Sequence, residues 1–290
     1  MTKHTTPFTV RHYECDAYGH LNNAVYLQYM QESAINASTA CGLDRAAYQR
    51  LGHVWIIRAS EIEYLQALRA GEEINVHTWI AGFRRSISRR EYELRRSVDG
   101  SVAARGSSDW VYLDAKNLRP ALISPEIQEA LSGGSAPEQN DGRIRLDDPH
   151  APPSAPFKIE RRVEWRDIDE MQHLNNAAYL SYAEGCAMQL SEAYGWPFQR
   201  WVAAGVAFVA RRNRVEYLQP AYLHDRLIIR TWLFDVRRAS ATRHYEFLRA
   251  ADGELLARLQ TDWVLINLNT GRPTRFPPDF EERLADNIAT

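Results

Sequence analysis

The first half of the chain contains a long segment that is apolar on most sides of a helical wheel. Asn22 or Asn23 is a natural N-cap for this helix, and the pattern extends it to about Ser38. A helix that is apolar nearly all round must be covered on most sides, which predicts that a sheet wraps it. Its apolar positions are Val25, Tyr26, Leu27, Tyr29, Met30, Ala34 and Ile35.

After Gly52 the hydrophobic period changes from that of a helix to that of a strand. Apolar and polar residues alternate from 74 to 80, as in a half-buried strand. Asp99-Gly100 predicts a hairpin turn after the next strand. The pattern also predicts strands at Phe8–Tyr13, 90–98 and Trp110–Leu113, and a short helix at Ser124–Leu131. One long helix followed by a run of antiparallel strands is an α+β unit.

A constant shift of 153 positions maps the first half of the chain onto the second half without a gap. It pairs His20 with His173 and Gly52 with Gly205. Longer runs also match, namely Glu63-Tyr64-Leu65 with Glu216-Tyr217-Leu218 and Asp109-Trp110-Val111 with Asp262-Trp263-Val264. The chain therefore contains two copies of one domain. Recurrence alone does not mark chemistry, because two copies of one fold also share structural residues.

The segment between the two copies differs from both in composition. Residues 132–156 are rich in Gly, Ser, Pro and Asp, which predicts a linker. We therefore expect an N-terminal domain at 1–131 and a C-terminal domain at 157–290. In a chain of 290 residues, each domain is long enough to bury its own core.

Charge and cysteine content argue against several classes of protein. The 35 basic and 37 acidic residues nearly cancel, so nothing favours a nucleic-acid or membrane partner. The three cysteines, Cys15, Cys41 and Cys186, are too few and too unpatterned for a disulfide framework or a zinc site. The sequence shows neither a long uncharged apolar run nor the apolar core of a signal peptide at its start. We therefore expect a reduced, cytoplasmic protein.

One short acidic loop, present once in each half, concentrates the side chains that can do chemistry. Each copy places a carboxylate, an imidazole and two amides within eight residues, just where the apolar helix begins. The residues are Asp16, His20, Asn22 and Asn23 in the first copy, and Asp169, His173, Asn175 and Asn176 in the second. We interpret this loop as the candidate chemical site, present twice.

The pattern acidic-x-Asp-x-x-x-His-x-Asn-Asn-x-x-Tyr, between a strand and a buried helix, resembles the hotdog-fold thioesterases. The likeness is to the 4-hydroxybenzoyl-CoA thioesterase-like group and to the plant-type acyl-carrier-protein thioesterases, and it covers both halves. It implies two fused hotdog domains, each an antiparallel sheet wrapped around a long central helix. It also implies an acyl-CoA thioesterase without metal or other cofactor, with an acyl-ACP thioesterase as the alternative. Further homo-oligomerisation of this fused pseudo-dimer is left open.

The resemblance also assigns roles to residues of the loop. In the 4-hydroxybenzoyl-CoA type, the Asp of this loop is the catalytic carboxylate, which maps on Asp16 and Asp169. In that group a backbone N–H at the helix start polarises the thioester carbonyl, and this position falls near Asn23 and Asn176.

The plant-type enzymes imply a second set of roles, which this chain matches only in part. Their loop supplies Asp, Asn and His, and the His maps on His20 and His173. Their Asn two residues after the Asp is missing, since Tyr18 and Met171 stand there. The amides before the helix remain candidates for a direct role as well as for helix capping: Asn22 and Asn175.

The chemistry of thioester hydrolysis fits such a simple loop. Negative charge develops on the carbonyl oxygen, and the N–H groups at a helix N-terminus meet it with the positive end of the dipole. The leaving thiolate, whose conjugate acid has a pKa of about 8.5, needs no strong general acid. An ionised Asp can attack the carbonyl and form an anhydride, or it can deprotonate a water molecule. The sequence leaves both routes open.

Two rival functions use the same fold. Hydratases of this fold have an extra residue between their Asp and His, whereas Asp16 and His20 are four apart, which argues against a hydratase. A non-catalytic module that binds acyl-CoA is the rival from another class, and it would bind the thioester without releasing thiol.

Two further features bear on the site. The pairs Arg84-Arg85 and Arg237-Arg238 lie near a predicted strand turn, where they could bind the phosphates of coenzyme A or form a solvated basic turn. Gly19 can adopt a positive φ that aims the loop, whereas Gln172 at the matching position cannot do so freely. This difference predicts that the first loop is the better catalyst.

Overall fold

The computed structural model describes residues 3–134 and 143–289, apart from the side chain of Glu281. The chain divides into two compact units, Met1–Ile144 and Arg145–Thr290. The division falls within the predicted linker at 132–156, of which residues 135–142 lie outside the described residues.

The described part of the first unit is an antiparallel sheet with helices. Its strands are β1 (His4–Thr9), β2 (His53–Tyr64), β3 (Glu73–Arg84), β4 (Ile87–Arg96) and β5 (Val102–Asp114). Its helices are α1 (Asn23–Ala40), α2 (Arg45–Leu51) and α3 (Pro125–Ser132), and a 3₁₀ turn spans His12–Glu14. The strands lie in the order β1-β3-β4-β5-β2, and each strand is antiparallel to its neighbour.

The second unit repeats this order of elements. Its strands are β6 (Phe157–Arg162), β7 (Val206–Tyr217), β8 (Arg226–Phe234), β9 (Ser240–Arg249) and β10 (Leu255–Asn267). Its helices are α4 (Asn176–Ala193), α5 (Phe198–Ala203) and α6 (Pro278–Leu284), with 3₁₀ turns at Trp165–Asp167 and Ala285–Asn287. The antiparallel order is β6-β8-β9-β10-β7. Every strand and α-helix begins 153 positions after its counterpart, as Asn176 follows Asn23.

The central helix of each unit packs on its own sheet. Helix α1 contacts β1 and β3, and α4 contacts β6, β8 and β10. Each of these helices has 18 residues, about 27 Å of helix at 1.5 Å per residue. In α1 the buried side chains are not confined to one stripe but include four consecutive residues, 24–27. The predicted α+β class, with an antiparallel sheet around a long helix in each domain, is confirmed.

Local sequence signals account for several element boundaries. The side chain of Asn22 caps α1, and the Asp99-Gly100 turn lies between β4 and β5, with Gly100 at φ +70°. Helix α3 begins after Ser124, which accepts a hydrogen bond from the N–H of Ile127. The prediction missed α2, although the side chain of Asp44 caps its start and the left-handed Gly52 ends it.

The first strand differs from its prediction at Phe8–Tyr13. It covers His4–Thr9 instead, and the chain continues into the 3₁₀ turn. The reason is the ladder to β3, in which Thr9 pairs with Glu73, the first residue of that strand. Residues beyond Thr9 therefore have no strand partner in β3, and the chain is free to turn into the acidic loop.

Candidate active site

The acidic loop of the first unit is closed by its own backbone. Cys15 and Leu21 form an isolated antiparallel bridge, and the N–H of Asp16 donates to the carbonyl of His20 at 2.7 Å. The N–H of Gly19 donates back to the carbonyl of Asp16 at 3.0 Å. Gly19 has φ +73°, the left-handed conformation that glycine adopts without a steric penalty. The loop is thus a tight turn rather than an open connection.

The carboxylate of Asp16 is part of this turn. Its Oδ1 accepts hydrogen bonds from the N–H of Tyr18 at 2.8 Å and from the N–H of His20 at 3.1 Å. The residue is half-buried. Because an ionised carboxylate has about four acceptor sites on two oxygens, these two bonds to Oδ1 do not exhaust the acceptor capacity of the group. Asp16 Oδ1 thus holds the loop, whereas Oδ2 takes part in neither of these two hydrogen bonds.

The second loop has the same closure. The N–H of Asp169 donates to the carbonyl of His173 at 3.1 Å, and the N–H of Gln172 donates to the carbonyl of Asp169 at 3.0 Å. Asp169 Oδ1 accepts from the N–H of Met171 at 2.9 Å. Gln172 has φ +63° and therefore takes the conformation that Gly19 takes in the first loop. The backbone thus reproduces the first turn despite the non-glycine residue.

The two histidines lie beside the two carboxylates. His173 Nδ1 is 3.7 Å from Asp169 Oδ1, which is too long for a hydrogen bond but within ion-pair range when the imidazole is protonated. In the first unit it is the backbone of His20, through its N–H and its carbonyl, that contacts Asp16. The structure therefore brings each predicted Asp and His together, and their roles in catalysis remain predictions.

The two loops lead directly into the N-termini of the central helices. Asn22 Oδ1 accepts from the N–H of Ala24 at 2.9 Å, and Asn175 Oδ1 accepts from the N–H of Ala177 at 2.9 Å. Both amides are thus N-caps, as the structural alternative to a catalytic role predicted. A direct catalytic role for Asn22 and Asn175 remains a prediction.

The first helical residues, Asn23 and Asn176, stand at the positive end of each helix dipole. Their backbone N–H groups are the predicted oxyanion donors. The loop is tied to this helix end because the N–H of Asn22 donates to the carbonyl of Glu14 at 2.9 Å. The corresponding bond from Asn175 to Asp167 is 2.8 Å long. In each unit a carboxylate and a helix N-terminus therefore lie in one hydrogen-bonded segment.

A tyrosine of each central helix supports the loop through a hydrogen bond that was not predicted from the sequence. The hydroxyl of Tyr29 donates to Glu14 Oε2 at 2.6 Å, and the hydroxyl of Tyr182 donates to Asp167 Oδ2 at 2.6 Å. Burial and the bond to Glu14 both raise the pKa of Tyr29, so this phenol keeps its proton. The signal was present in the sequence, since at the shift of 153 Tyr29 recurs as Tyr182 and Glu14 is matched by another acidic residue, Asp167.

The arginine pairs lie far from the loop of their own unit. The chain before the loop of the first unit meets the start of β3, where the N–H of Val10 donates to the carbonyl of Glu72, whereas Arg84 ends that strand and Arg85 follows it. At about 3.3 Å per residue, the ends of this 12-residue strand are ~35 Å apart. Both arginines are exposed. The structure does not bring them to Asp16 within their unit, and their binding to coenzyme A stays a prediction.

The matching pair Arg237-Arg238 is exposed beyond the end of β8. Arg237 is held by Asp235, with Nη2 to Oδ2 at 3.0 Å. This contact is an exposed ion pair, the kind that contributes little stability.

Within residues 3–134 and 143–289 there is no group of three or more His, Cys, Asp and Glu side chains that could hold a metal ion. Among the same residues, no helix is both long and apolar enough to cross a membrane.

Comparison with known proteins places the chain in a family. Chloroplastic acyl-(acyl-carrier-protein) hydrolase FATB2 of Cuphea viscosissima is 25% identical over 186 residues, which are 60% of this chain and 45% of FATB2. The chain spans about half the length of the plant relatives it matches. Long-chain acyl-CoA thioesterase FadM of Escherichia coli is 26% identical over 135 residues, which are 46% of this chain and 99% of FadM.

A solved structure supports the fold. The 12:0-ACP thioesterase from Umbellularia californica has a TM-score of 0.70 at 17% identity, over 91% of this chain and 98% of that one. Residues 10–131 and 163–284 each match the model of the thioesterase-like superfamily. The resemblance seen in the loop pattern is thereby confirmed. Because the two matches cover most of both units, the chain belongs to the thioesterase-like superfamily and carries its domain twice.

Proposed function

We propose that the protein is an acyl-CoA thioesterase that hydrolyses an acyl thioester to a free acid and a thiol. The observation that carries this proposal is the repeated juxtaposition of a carboxylate turn and a capped helix N-terminus. Asp16 lies in the turn that precedes Asn23, and Asp169 lies in the turn that precedes Asn176. Two loops of different sequence reach the same arrangement, and thioester hydrolysis needs both parts of it.

The helix end supplies the electrostatic part of the reaction. As the carbonyl carbon becomes tetrahedral, its oxygen gains negative charge, which the N–H at the first helical position stabilises. Among the described residues, the N–H of Asn176 has no hydrogen-bond acceptor, as expected for the first residue of a helix. That N–H is oriented by the helix and can donate to a substrate oxygen.

The carboxylate supplies the nucleophile, directly or through water. In the direct route an Asp oxygen attacks the carbonyl carbon, the carbon–sulfur bond breaks, and the thiolate leaves with its electron pair; water then hydrolyses the anhydride. In the other route the carboxylate takes a proton from the attacking water. A single turnover in ¹⁸O-labelled water separates the two routes. In the general-base route the product acid takes up the label. In the anhydride route, when water attacks the Asp carbonyl, the label enters the Asp and the first product acid carries none.

His20 and His173 have a supporting role in this proposal. Each closes the Asp turn through its backbone carbonyl, at 2.7 Å in the first loop and 3.1 Å in the second. The imidazole of His173, 3.7 Å from the carboxylate, is placed to orient a water molecule or the substrate.

The choice of coenzyme A as carrier rests on one comparison. The relative named as an acyl-CoA thioesterase, FadM, aligns over 99% of its own length, whereas FATB2, named as an acyl-carrier-protein hydrolase, aligns over 45%. An acyl-ACP thioesterase is the alternative within the same chemistry. The two are separated by kcat/KM for the same acyl group on both carriers.

A non-catalytic acyl-CoA-binding module is the second candidate. It is favoured by the fact that Asp16 already uses one oxygen to hold its own loop. Thiol release from a panel of acyl-CoAs and acyl-carrier proteins, with and without a chelator, decides between them. We expect release that the chelator does not change. Tight binding of panel members without thiol release would favour the binding module.

A further inference from the structure

In both units a tyrosine of a neighbouring strand reaches the first peptide group of the central helix. The hydroxyl of Tyr64, the last residue of β2, donates to the carbonyl oxygen of Asn23 at 3.2 Å. The hydroxyl of Tyr217, the last residue of β7, donates to the carbonyl oxygen of Asn176 at 2.9 Å. Both tyrosines are half-buried, and both bonds span 41 positions of the chain.

The peptide group that Tyr64 contacts is held at its other end as well. The carbonyl of Asn23 and the N–H of Ala24 belong to one planar group. That N–H donates to Asn22 Oδ1 at 2.9 Å. The side chains of Asn22 and Tyr64 therefore hydrogen-bond to the two opposite ends of one peptide group. In the second unit Asn175 and Tyr217 hydrogen-bond to the corresponding peptide group, and both bonds are 2.9 Å long.

The preceding peptide group carries the proposed oxyanion donor, the N–H of Asn23. Its carbonyl, on Asn22, accepts from the N–H of Val25 at 3.0 Å. The Asn175 carbonyl accepts from the N–H of Ala178, also at 3.0 Å. With the planes on both sides of Asn23 fixed, its two backbone dihedrals are fixed, and so is the direction of its N–H.

We propose that Tyr64 and Tyr217 are positioning residues for thioester hydrolysis, each aiming the oxyanion-stabilising N–H at the start of its central helix. This inference rests on the proposed function. The tyrosines do not touch the reacting atoms; they act through the peptide group that follows the donor.

The ring of each tyrosine is itself held in place. Tyr64 packs edge-on against Tyr26 of α1 with ring centroids 5.1 Å apart, and Tyr217 packs in the same way against Tyr179 of α4 at 5.5 Å. This contact belongs to the aromatic ring and survives a change to phenylalanine. The hydroxyl can therefore be removed with little change in packing.

The first experiment uses the full chain with Tyr64→Phe, Tyr217→Phe and the double variant. Because the donor is misaimed rather than deleted, the double variant should lose roughly tenfold in kcat, less than the 10²-fold or more that follows deletion of an oxyanion donor. KM should stay within about twofold, since ground-state contacts of the substrate are unchanged. Each single variant should lose only the contribution of its own unit.

Tyr48→Phe is the matched control. Its hydroxyl is within 2.8 Å of Ser38 Oγ, near the other end of α1, so the variant also loses one half-buried hydrogen bond of this helix. It should lower the melting temperature about as much as Tyr64→Phe does but leave kcat unchanged. A wild-type kcat in the double variant, or an equal loss of kcat in the control, would overturn the inference.

A measurement that needs no substrate keeps the inference separate from the proposed function. Hydrogen exchange at the N–H groups of Ala24 and Ala177 should accelerate in the double variant, because each belongs to the peptide group whose carbonyl accepts the tyrosine hydrogen bond. Unchanged exchange at both would show that the tyrosines do not hold it. A wild-type protein that releases no thiol from any substrate refutes the proposed function. The exchange result still shows, independently of activity, whether the tyrosines hold this peptide group.

Discussion

Gln172 has the same left-handed backbone conformation as Gly19, the residue at the matching position of the other loop. Their φ angles are +63° and +73°. A residue with a Cβ costs about 1–2 kcal/mol in this region, whereas glycine does not. The second loop therefore keeps its geometry at a cost in stability, and backbone conformation does not distinguish the two loops.

Replacing Gln172 by Gly should relieve this strain. The expected gain in the free energy of unfolding is about 1 kcal/mol, reduced in part because glycine also loosens the unfolded chain. Urea unfolding measures it. The reverse change, Gly19→Gln, should cost a similar amount, because a Cβ at Gly19 would have its nearest neighbour, Arg69 Nη1, 3.9 Å away and would meet no clash. A destabilising Gln172→Gly would show that the glutamine side chain makes a stronger contribution than the strain it causes.

The shared geometry of the loops decides what we expect from their carboxylates. Asp→Asn removes the charge with little change of shape. If both turns work, Asp16→Asn and Asp169→Asn should each keep a large part of kcat, and the double variant should lose at least ~10²-fold, the scale of one acid–base group. The test is kcat on one good substrate for all three variants. Wild-type activity in the double variant would show that neither Asp carries the reaction.

Local signals in the sequence were enough to predict the α+β class and the place of the loop. The cap at Asn22, the turn at Asp99-Gly100 and the alternation from 74 to 80 are all decided by neighbouring residues, and the structure contains each of them. The repeat then predicts the elements of the second unit, because every strand and α-helix there begins 153 positions after its counterpart in the first unit.

Contacts between residues distant in sequence could not be predicted in the same way. The bond from Tyr64 to Asn23 depends on where the end of β2 meets α1, which no local pattern encodes. The backbone conformation of Gln172 is another such case, since local preference argues against it and the closed turn imposes it. The loop was therefore found from its residue types, and the side chains that hold it were found only in the structure.

Removing the hydroxyl that supports the first loop should destabilise the protein. Tyr29→Phe leaves the carboxylate of Glu14, only 10% exposed, without its 2.6 Å donor, although Arg11 still contacts it. The expected loss is about 1–3 kcal/mol, as for a charged acceptor that loses a partner. Denaturant unfolding measures it. Tyr13→Phe is the control, because Tyr13 is 79% exposed and should change nothing; a loss below ~0.3 kcal/mol for Tyr29→Phe would contradict the role.

Replacing Arg84 and Arg85 together by Ala tests the predicted binding of coenzyme A. The predicted binding requires KM for an acyl-CoA to rise with kcat unchanged, which is the signature of lost ground-state binding. A double change of Lys116 and Arg119 to Ala removes the same charge from another exposed turn and should leave KM unaltered. Equal KM values in the wild type and in the Arg84/Arg85 variant would remove that pair from the binding site.

Glu91 on β4 predicts a pH dependence of stability. Burial raises its pKa from 4.5 to about 7; the charge of Arg89 opposes this shift, and the charges of Asp109 and Glu61 add to it. Its side chain is 25% exposed, and Arg89 Nη1 lies 3.8 Å from its Oε1. The folded protein thus binds a proton at Glu91 more tightly than the unfolded chain does.

The sign of the effect follows from this order of affinities. Between about pH 4.5 and pH 7 the native state holds more protons at Glu91 than the unfolded state, so stability falls as the pH rises. The contribution is complete below the unfolded pKa and is lost above the folded one. Glu91→Gln keeps the shape and cannot ionise. Relative to this variant, the wild type should therefore lose up to ~3 kcal/mol between pH 5 and pH 8, at about 1.4 kcal/mol per pKa unit.

Glu93, on the same strand, is the control for this measurement. Burial raises its pKa, but the hydrogen bond and charge of Arg95 outweigh burial, so the net shift is downward. A carboxylate of that kind loses its stabilising contribution only below its unfolded pKa. Glu93→Gln should therefore show no trend relative to wild type from pH 7 to pH 8, where the cross-strand neighbour His77, whose pKa burial lowers from 6.5, is neutral. Urea unfolding at several pH values measures both variants. If the difference between the wild type and Glu91→Gln does not change between pH 5 and pH 8, then Glu91 ionises alike in both states, and burial does not hold its proton.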